Sequence, residues 1–265
     1  SNNPVVTGSN NGTNLTVNLA GVSVLPITTQ NIGVGVNGTL LTATENAGAV
    51  SRQWYYSTVS GGPYTTPIAG ATTTIYTPNF ASANTYYVVC ISTYACGTVT
   101  TAQVQINVSL IPDIVLSSAN PAAPAANITE GSLNNVVYAF NTAVTTTNAT
   151  LNSVTFTTTG GYVAGNITNF KLWYSTDAIF NSATDTNIKT ITTGLGTGLH
   201  TFSALTQAIA NGATGYFFIT VDLPCPSTAT NNLGINAITT ANLTFASGNK
   251  SGTAFASGTQ TIQDD

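Results

Sequence analysis

One histidine, His200, and eight carboxylates are the residues from which a hydrolytic site could be built in this chain. A serine or cysteine hydrolase needs a histidine held by an acid, together with a nucleophile in a tight turn. No acidic residue lies near His200 in the sequence, and no G-x-S-x-G occurs. No two carboxylates are singled out as the pair that a glycosidase needs. We therefore interpret His200 as a partly exposed strand residue and expect no enzymatic activity.

A second candidate chemistry is metal binding by the loop that runs from Asp177 to Asn187. Side-chain oxygens of Asp177, Asn181, Asp185 and Asn187 could coordinate a hard cation such as calcium. The spacing lacks the every-second-residue ligands and the central glycine of an EF-hand loop. The alternative, which we favour, is that these side chains accept hydrogen bonds from their own backbone. Calcium is the one cofactor that the sequence leaves open.

Three cysteines divide into a close pair, Cys90 and Cys96, and an isolated Cys225 between two prolines. The simplest pairing of three cysteines is one local disulfide and one remaining thiol. A metal or redox pair is the alternative, but there is no C-x-x-C and no further thiol or imidazole nearby. We predict a Cys90–Cys96 disulfide in an oxidising compartment. Cys225 is either buried and inert or pairs with a part of a longer parent protein.

The two tryptophans are predicted to differ in orientation. Trp54 occupies a central strand position typical of a core residue. Trp173 alternates with the apolar set Phe170, Leu172 and Tyr174, so it should face the other side of the strand. We predict that Trp173 contacts a sugar or a neighbouring module, with burial under a loop as the alternative.

Composition excludes several classes of partner. Only 5% of the residues are charged, and four Lys or Arg in the whole chain cannot neutralise a run of phosphates or an anionic lipid surface. No apolar run has the length of a membrane span, and the first residues lack the pattern of a signal peptide. With 42% hydrophobic residues and a net charge of -4, the chain is expected to fold. We expect a mature, processed or partial chain.

Short runs of Val, Ile, Thr, Tyr and Phe recur between Gly, Asn, Pro and Ser clusters, which is typical of all-β sandwiches. Residues 102–108 alternate most clearly and are predicted to close a first domain. We predict two tandem β-sandwich domains, at residues 24–109 and 110–265, preceded by an N-terminal extension at residues 1–23. The extension contains a strand candidate, Leu15–Leu19, and residues 205–210 are expected to form a short helical turn.

The first domain resembles a bacterial Ig-like module. The resemblance is carried by Gln53-Trp-Tyr-Tyr-Ser57, Ile68-Ala-Gly-Ala-Thr72, Tyr76-Thr-Pro78, Tyr86-Tyr-Val-Val-Cys90 and Cys96-Gly97. It implies a tryptophan packed against the opposite sheet and an aromatic strand that leads to a cysteine. The six-residue cysteine spacing resembles the variant in which a hairpin carries its own disulfide.

The second domain resembles a repeat of very large secreted surface proteins of the Bacteroidetes. The matching segments are Gly131–Tyr138, Val154–Gly160, Ile167–Ser175, Thr214–Thr220 and Gly248–Gly252. The two resemblances imply a non-enzymatic, extracellular structural or adhesive module of a bacterial surface protein, whose partners are neighbouring modules or subunits. A related possibility is a filament subunit in which Leu15–Leu19 adds to a sheet edge of the next copy. The alternative is a carbohydrate-binding accessory module of a secreted enzyme.

Overall fold

The computed structural model describes residues 20–46, 48–95, 97–226 and 231–264. The chain divides into two compact units, with the division between Leu110 and Ile111. The domain boundary expected from the sequence lies one residue earlier. The strand candidate Leu15–Leu19 falls outside the described residues. Apart from the 3-10 turns Ala164–Asn166 and Thr240–Asn242, every regular element in the described ranges is a strand. The predicted all-β class is confirmed.

The first unit, up to Leu110, builds two sheets from nine strands within its described residues. These strands are β1 (Val22–Leu25), β2 (Gln30–Gly33), β3 (Leu41–Glu45), β4 (Ser51–Ser57), β5 (Thr66–Pro67), β6 (Ile75–Tyr76), β7 (Asn84–Tyr94), β8 (Gly97–Thr100) and β9 (Val104–Ser109). One sheet has the order β1-β3-β6, and the other has the order β2-β9-β7-β4-β5, with β8 also paired to β7. β2 runs parallel to β9. This strand order is that of an immunoglobulin-like sandwich, as the sequence predicted.

Trp54 joins the two sheets of the first unit. It lies on β4, is fully buried, and its indole packs 5.6 Å from the ring of Tyr76 on β6 of the other sheet. The indole Nε1 donates a hydrogen bond to the carbonyl of Thr73 at 2.9 Å, so its one polar atom is satisfied. Tyr86, near the start of β7, donates its hydroxyl to the carbonyl of Ser82, much as the tyrosine corner of Ig domains does.

The first unit begins earlier than the predicted boundary. Val22 and Ser23, which the sequence prediction placed in an N-terminal extension, belong to β1 and pair with β3. The pairing continues to Gly21, whose carbonyl accepts hydrogen bonds from the Asn46 amide and the Tyr94 hydroxyl. The backbone from Gly21 onward is therefore part of the sandwich.

The second unit contains fourteen strands within its described residues. They are β10 (Asp113–Ser117), β11 (Ala126–Thr129), β12 (Asn135–Thr145), β13 (Ala149–Thr159), β14 (Asn169–Ser175), β15 (Thr186–Ile191), β16 (Leu199–Phe202), β17 (Gln207–Ile209), β18 (Thr214–Asp222), β19 (Asn232–Ile235), β20 (Ile238–Thr239), β21 (Leu243–Phe245), β22 (Asn249–Ala254) and β23 (Gln260–Gln263). A seven-stranded sheet has the order β15-β14-β18-β12-β10-β22-β20. The other sheet has the order β11-β23-β19-β13-β16, and β17 and β21 also pair with β13.

Alternation along the long strands of the second unit decides which side chains enter its core. Phe217, Ile219 and Val221 of β18 are fully buried, and Phe156 of β13 reaches the same hydrophobic cluster from the other sheet. Each such side chain contributes about 1.5–3 kcal/mol when it leaves water. The apolar alternation that predicted these strands therefore also predicted this core.

The helical turn expected at residues 205–210 is wrong. Residues Gln207–Ile209 form β17, which pairs antiparallel with Ala149–Leu151 of β13. The Leu205 amide donates to the carbonyl of Asn152 at 2.9 Å, so this segment bonds to a distant strand rather than to itself. Pairing along an existing sheet edge outweighs the weak local preference of a six-residue segment for helix.

Candidate functional site

Trp173 does not form an exposed binding platform. The Trp173 side chain lies on the face of the sheet opposite to Phe170 and Leu172, as alternation predicts. Only 8% of the residue is exposed, however. Phe180, from the loop after β14, packs edge-on against the indole at 5.3 Å, and the indole Nε1 donates to the Thr220 hydroxyl at 2.9 Å. The loop after β14 folds back and covers the ring, which is the alternative to a ligand contact that the sequence left open.

The loop from Asp177 to Asn187 binds its own backbone. Asp177 Oδ1 accepts from the Ile179 amide at 2.8 Å, and Asp185 Oδ2 accepts from the Asn181 amide at 2.8 Å. Asn181 Oδ1 accepts from the Ala183 amide, and Asn187 Oδ1 accepts from the Thr190 hydroxyl. These bonds match the self-bonded loop that was favoured over calcium ligation.

Of the four predicted calcium ligands, Asp177 and Asp185 are brought together, since both line a cavity of about 190 Å3. The described residues contain no group of three or more His, Cys, Asp and Glu side chains that could hold a metal ion. Calcium binding stays the untested alternative, with Asp177 and Asp185 at its centre.

His200 is buried, contrary to the partly exposed position expected from the sequence. It is 6% exposed, and its ring lies 4.7 Å from Phe170 and 5.1 Å from Phe156. Its Nε2 is 3.2 Å from the hydroxyl of Thr158, which is in turn 2.7 Å from the Tyr162 hydroxyl. Burial lowers the pKa of His200 below its ordinary value, more than a hydrogen bond to the Gly196 backbone raises it. Its hydrogen-bond partners are an uncharged hydroxyl and a backbone group, which suit a neutral core imidazole.

Cys90 is buried on β7, and no disulfide joins it to another cysteine of the described residues. Burial raises the pKa of its thiol, so it is a poor nucleophile. Cys96, its predicted disulfide partner, lies outside the described residues, and the pairing stays a prediction. Cys225 is exposed rather than buried, with its sulfur 3.7 Å from Glu130 Oε1.

Sequence reasoning missed a surface on the outer face of the β1-β3-β6 sheet. Leu25, Thr42 and Ile75 are paired residues on three adjacent strands, and they form one outward row. Leu25 is 65% exposed and Ile75 is 49% exposed. On the inner face, Val24 and Leu41 are buried in the core. Outward aliphatic side chains therefore sit directly behind the core residues of the same strands.

Two more exposed aliphatic residues flank the strands that carry this row. Leu40, immediately before β3, is 46% exposed, and Ile27, two residues after β1, is 61% exposed. Leu40 and Ile75 also line a shallow groove of about 340 Å3. We call Leu25, Ile27, Leu40 and Ile75 the aliphatic face. A surface cluster of this kind in a soluble β-sandwich is a common mark of a contact site.

A sequence signal for the aliphatic face was present. Each strand of the sheet carries two adjacent apolar residues, namely Val24-Leu25, Leu40-Leu41 and Ile75-Tyr76. Neighbours on a strand point to opposite faces, so one member of each pair must face outward.

Two ion pairs hold carboxylates within the units. In the first unit Arg52 binds Glu45 through two 2.9 Å hydrogen bonds, and the bond from Arg52 is the main reason that the pKa of Glu45 is lowered. In the second unit Lys171 lies 2.6 Å from Asp222. Burial alone would raise the pKa of Asp222, but hydrogen bonds from Lys171, Asn169 and the Asn134 backbone lower it overall.

Comparisons with known proteins add little beyond the fold. A family model described as "Domain of unknown function (DUF8696)" matches residues 26–110, which lie in the first unit and begin after β1. No curated protein matches the chain. No helix within the described ranges is long and apolar enough to cross a membrane.

Several solved structures match this chain at low identity and low TM-score. The fibronectin(III)-like modules of CbhA from Clostridium thermocellum are 8% identical, with 92% of this chain and 94% of that chain covered and a TM-score of 0.26. Human protocadherin-24 EC1-2 is 13% identical, with 94% and 100% covered and a TM-score of 0.27. Titin Ig tandem domains A164-A165 are 11% identical, with 93% and 97% covered and a TM-score of 0.23. Similarity at this level says nothing about what this chain binds.

Proposed function

We propose that this chain is a non-enzymatic, extracellular structural or adhesive part of a bacterial surface protein, and that its first unit contacts a neighbouring module of the same kind. The observation that carries this proposal is the aliphatic face. The first unit has a complete apolar core between its two sheets, so Leu25 and Ile75 are not needed to fill it. Exposure of these apolar side chains to water is unfavourable in free energy, and contact with a partner would remove that exposure.

The composition supports a neutral partner. Charged residues make up 5% of the chain, and the residues that pair with or flank the aliphatic face, such as Thr42 and Thr44, carry hydroxyls. A second surface of the same character would meet this face without desolvating charges. A copy of the chain itself is the simplest partner of that description.

Sedimentation velocity of the purified chain over a range of concentrations tests this function. We expect concentration-dependent association that the double variant Leu25→Ser/Ile75→Ser weakens. Burial of each aliphatic side chain contributes about 1.5–3 kcal/mol, so the loss of two should weaken association by a factor of roughly ten or more.

The matched control removes the same residue types from the second unit. Leu199 and Ile179 are 69% and 77% exposed, and the variant Ile179→Ser/Leu199→Ser should associate as the unmodified chain does. A chain that remains monomeric at every concentration, or two variants that weaken association equally, would contradict the proposed contact.

The filament form of this function depends on residues 1–19, which lie outside the described residues. Electron micrographs of the purified chain, with and without those residues, separate a filament subunit from a monomeric spacer. Fibres that disappear on deletion would support strand addition by Leu15–Leu19. Fibres that persist would assign assembly to another surface.

A further inference from the structure

Three side chains of complementary chemistry meet at one end of the seven-stranded sheet of the second unit. Lys171 lies on β14, Asp222 ends β18, and Asn134 immediately precedes β12. The Lys171 amine is 2.6 Å from Asp222 Oδ2 and 2.8 Å from Asn134 Oδ1. The amine therefore touches a carboxylate and a side-chain amide at the same time.

The positions of these groups are fixed by further hydrogen bonds. The Asn134 backbone amide donates to Asp222 Oδ1 at 2.7 Å, and Asn169 Nδ2 donates to Asp222 Oδ2 at 2.8 Å. Asn134 has a φ of 56°, a left-handed conformation that turns the chain toward the carboxylate. One carboxylate thus holds both the amine and the residue that carries the amide, which favours reaction between them over reaction with solvent.

Water has little access to the charged pair. The side chains of Lys171 and Asp222 are 19% and 9% exposed. The amine and Asp222 Oδ2 are in direct contact, so one proton can pass between them without crossing solvent. Because hydrogen bonds lower the pKa of Asp222, the state with this proton on the carboxylate is a minor one, from which the slow, single reaction proceeds. That state has a neutral amine beside an amide carbonyl, which is the reactive arrangement.

We propose that Lys171 and Asn134 join through an intramolecular isopeptide bond, with Asp222 as the proton carrier. The proton of the Lys171 ammonium moves to Asp222 Oδ2, and the free amine attacks Asn134 Cγ to form a C–N bond. Asp222 returns a proton to the departing Nδ2 as the Cγ–Nδ2 bond breaks. The attacking nitrogen gives up its extra proton, and the leaving group departs as ammonium. No oxidant or other co-reactant is needed, and each molecule reacts once.

The sparse basic residues of the chain provide a direct test. After Arg52, trypsin can cleave only at Lys171, Lys189 and Lys250. An acylated lysine is not cleaved by trypsin. The reduced, alkylated and denatured chain should therefore yield an intact fragment 53–189 whose mass is short by one ammonia. Cleavage after Lys189 serves as the internal control.

Tandem mass spectrometry of fragment 53–189 locates the bond, because backbone cleavage between residues 134 and 171 releases no separate piece from a closed ring. The variant Lys171→Arg keeps the positive charge but should be cleaved at residue 171 with the full mass. Asp222→Asn should likewise be cleaved after Lys171, since it lacks the proton carrier. Ammonia loss together with cleavage after Lys171 would be a cyclised asparagine and would overturn the proposal. Fragments 53–171 and 172–189 of full mass from the unmodified chain would overturn it as well.

Discussion

At the scale of single residues, the direction of a strand side chain could be predicted from the sequence, but its burial could not. Alternation along β14 correctly placed Trp173 on the side opposite to Phe170 and Leu172. Its burial comes from Phe180, which lies in a loop whose path no local pattern specifies. Periodicity reports direction within a strand, whereas exposure depends on segments that are distant or irregular.

Replacement of Trp173 by alanine should lower the free energy of unfolding by about 3–5 kcal/mol, because a large buried side chain is lost. The Thr220 hydroxyl would also lose its hydrogen-bond partner. Chemical denaturation measures the change. Ile179, the exposed residue before Phe180, provides the control. The variant Ile179→Ala should change the free energy of unfolding by less than about 0.5 kcal/mol. Equal stability of Trp173→Ala and the unmodified chain would mean that the indole is not part of the packed structure.

His200 should make stability depend on pH near neutrality. Its pKa is lowered in the folded state from the ordinary value of 6.5, so the unfolded chain binds the proton more readily. The contribution of neutral His200 is therefore fully present above about pH 6.5 and is lost as the pH falls toward the lower folded pKa. We expect the melting temperature to fall from pH 7.5 to pH 5.5, and the variant His200→Gln to show a smaller fall. The same pH dependence in both proteins would exclude His200 as its source.

Calcium can be tested at Asp177 and Asp185. Because each carboxylate already accepts a backbone amide, we expect a calorimetric titration to show no heat and calcium to leave the melting temperature unchanged. The variant Asp177→Asn serves as the reference. Calcium-dependent stabilisation that is lost in this variant would restore the predicted site at the cavity between the two aspartates.

At the scale of elements, strands with strict alternation were predictable, whereas short pieces were not. Residues 102–108 alternate over a full strand, and β9 lies there. Residues 205–210 have too few positions for any period to show, and their structure depends on the edge of β13 that they meet. The aliphatic face was predictable in part. Its apolar pairs are visible in the sequence, but their arrangement in one row depends on which strands pair.

The boundary of β1 predicts how truncation affects the first unit. Removal of residues 1–19 leaves Gly21 and all four residue pairs between β1 and β3 intact. Removal of residues 1–25 eliminates β1 and exposes the core around Val24, which is 2% exposed. We expect the first truncation to retain the melting temperature and the second to lower it markedly or unfold the unit. Differential scanning calorimetry of both proteins distinguishes these outcomes.

At the scale of the whole molecule, the chain carries very few charges, and most of the charged side chains in the described residues form specific contacts. Arg52 and Lys171 are in ion pairs, and Lys250 donates to two backbone carbonyls, those of Thr240 and Leu243. Hydroxyl and amide side chains therefore provide most of the polar surface. Such a surface provides little long-range electrostatic steering, so we expect the proposed association of this chain to depend little on salt.

Parallel pairing between early and late strands gives both units a mechanical property. In the first unit β2 runs beside β9, and in the second unit β11 runs beside β23, the last strand. When tension pulls the incoming chain one way and the outgoing chain the other, the hydrogen bonds between such strands are loaded lengthwise and must break together. Each unit should therefore resist extension until it ruptures abruptly, instead of opening one bond at a time. In the proposed role, with the chain held at one end and pulled at the other, this pairing would let each sandwich bear load.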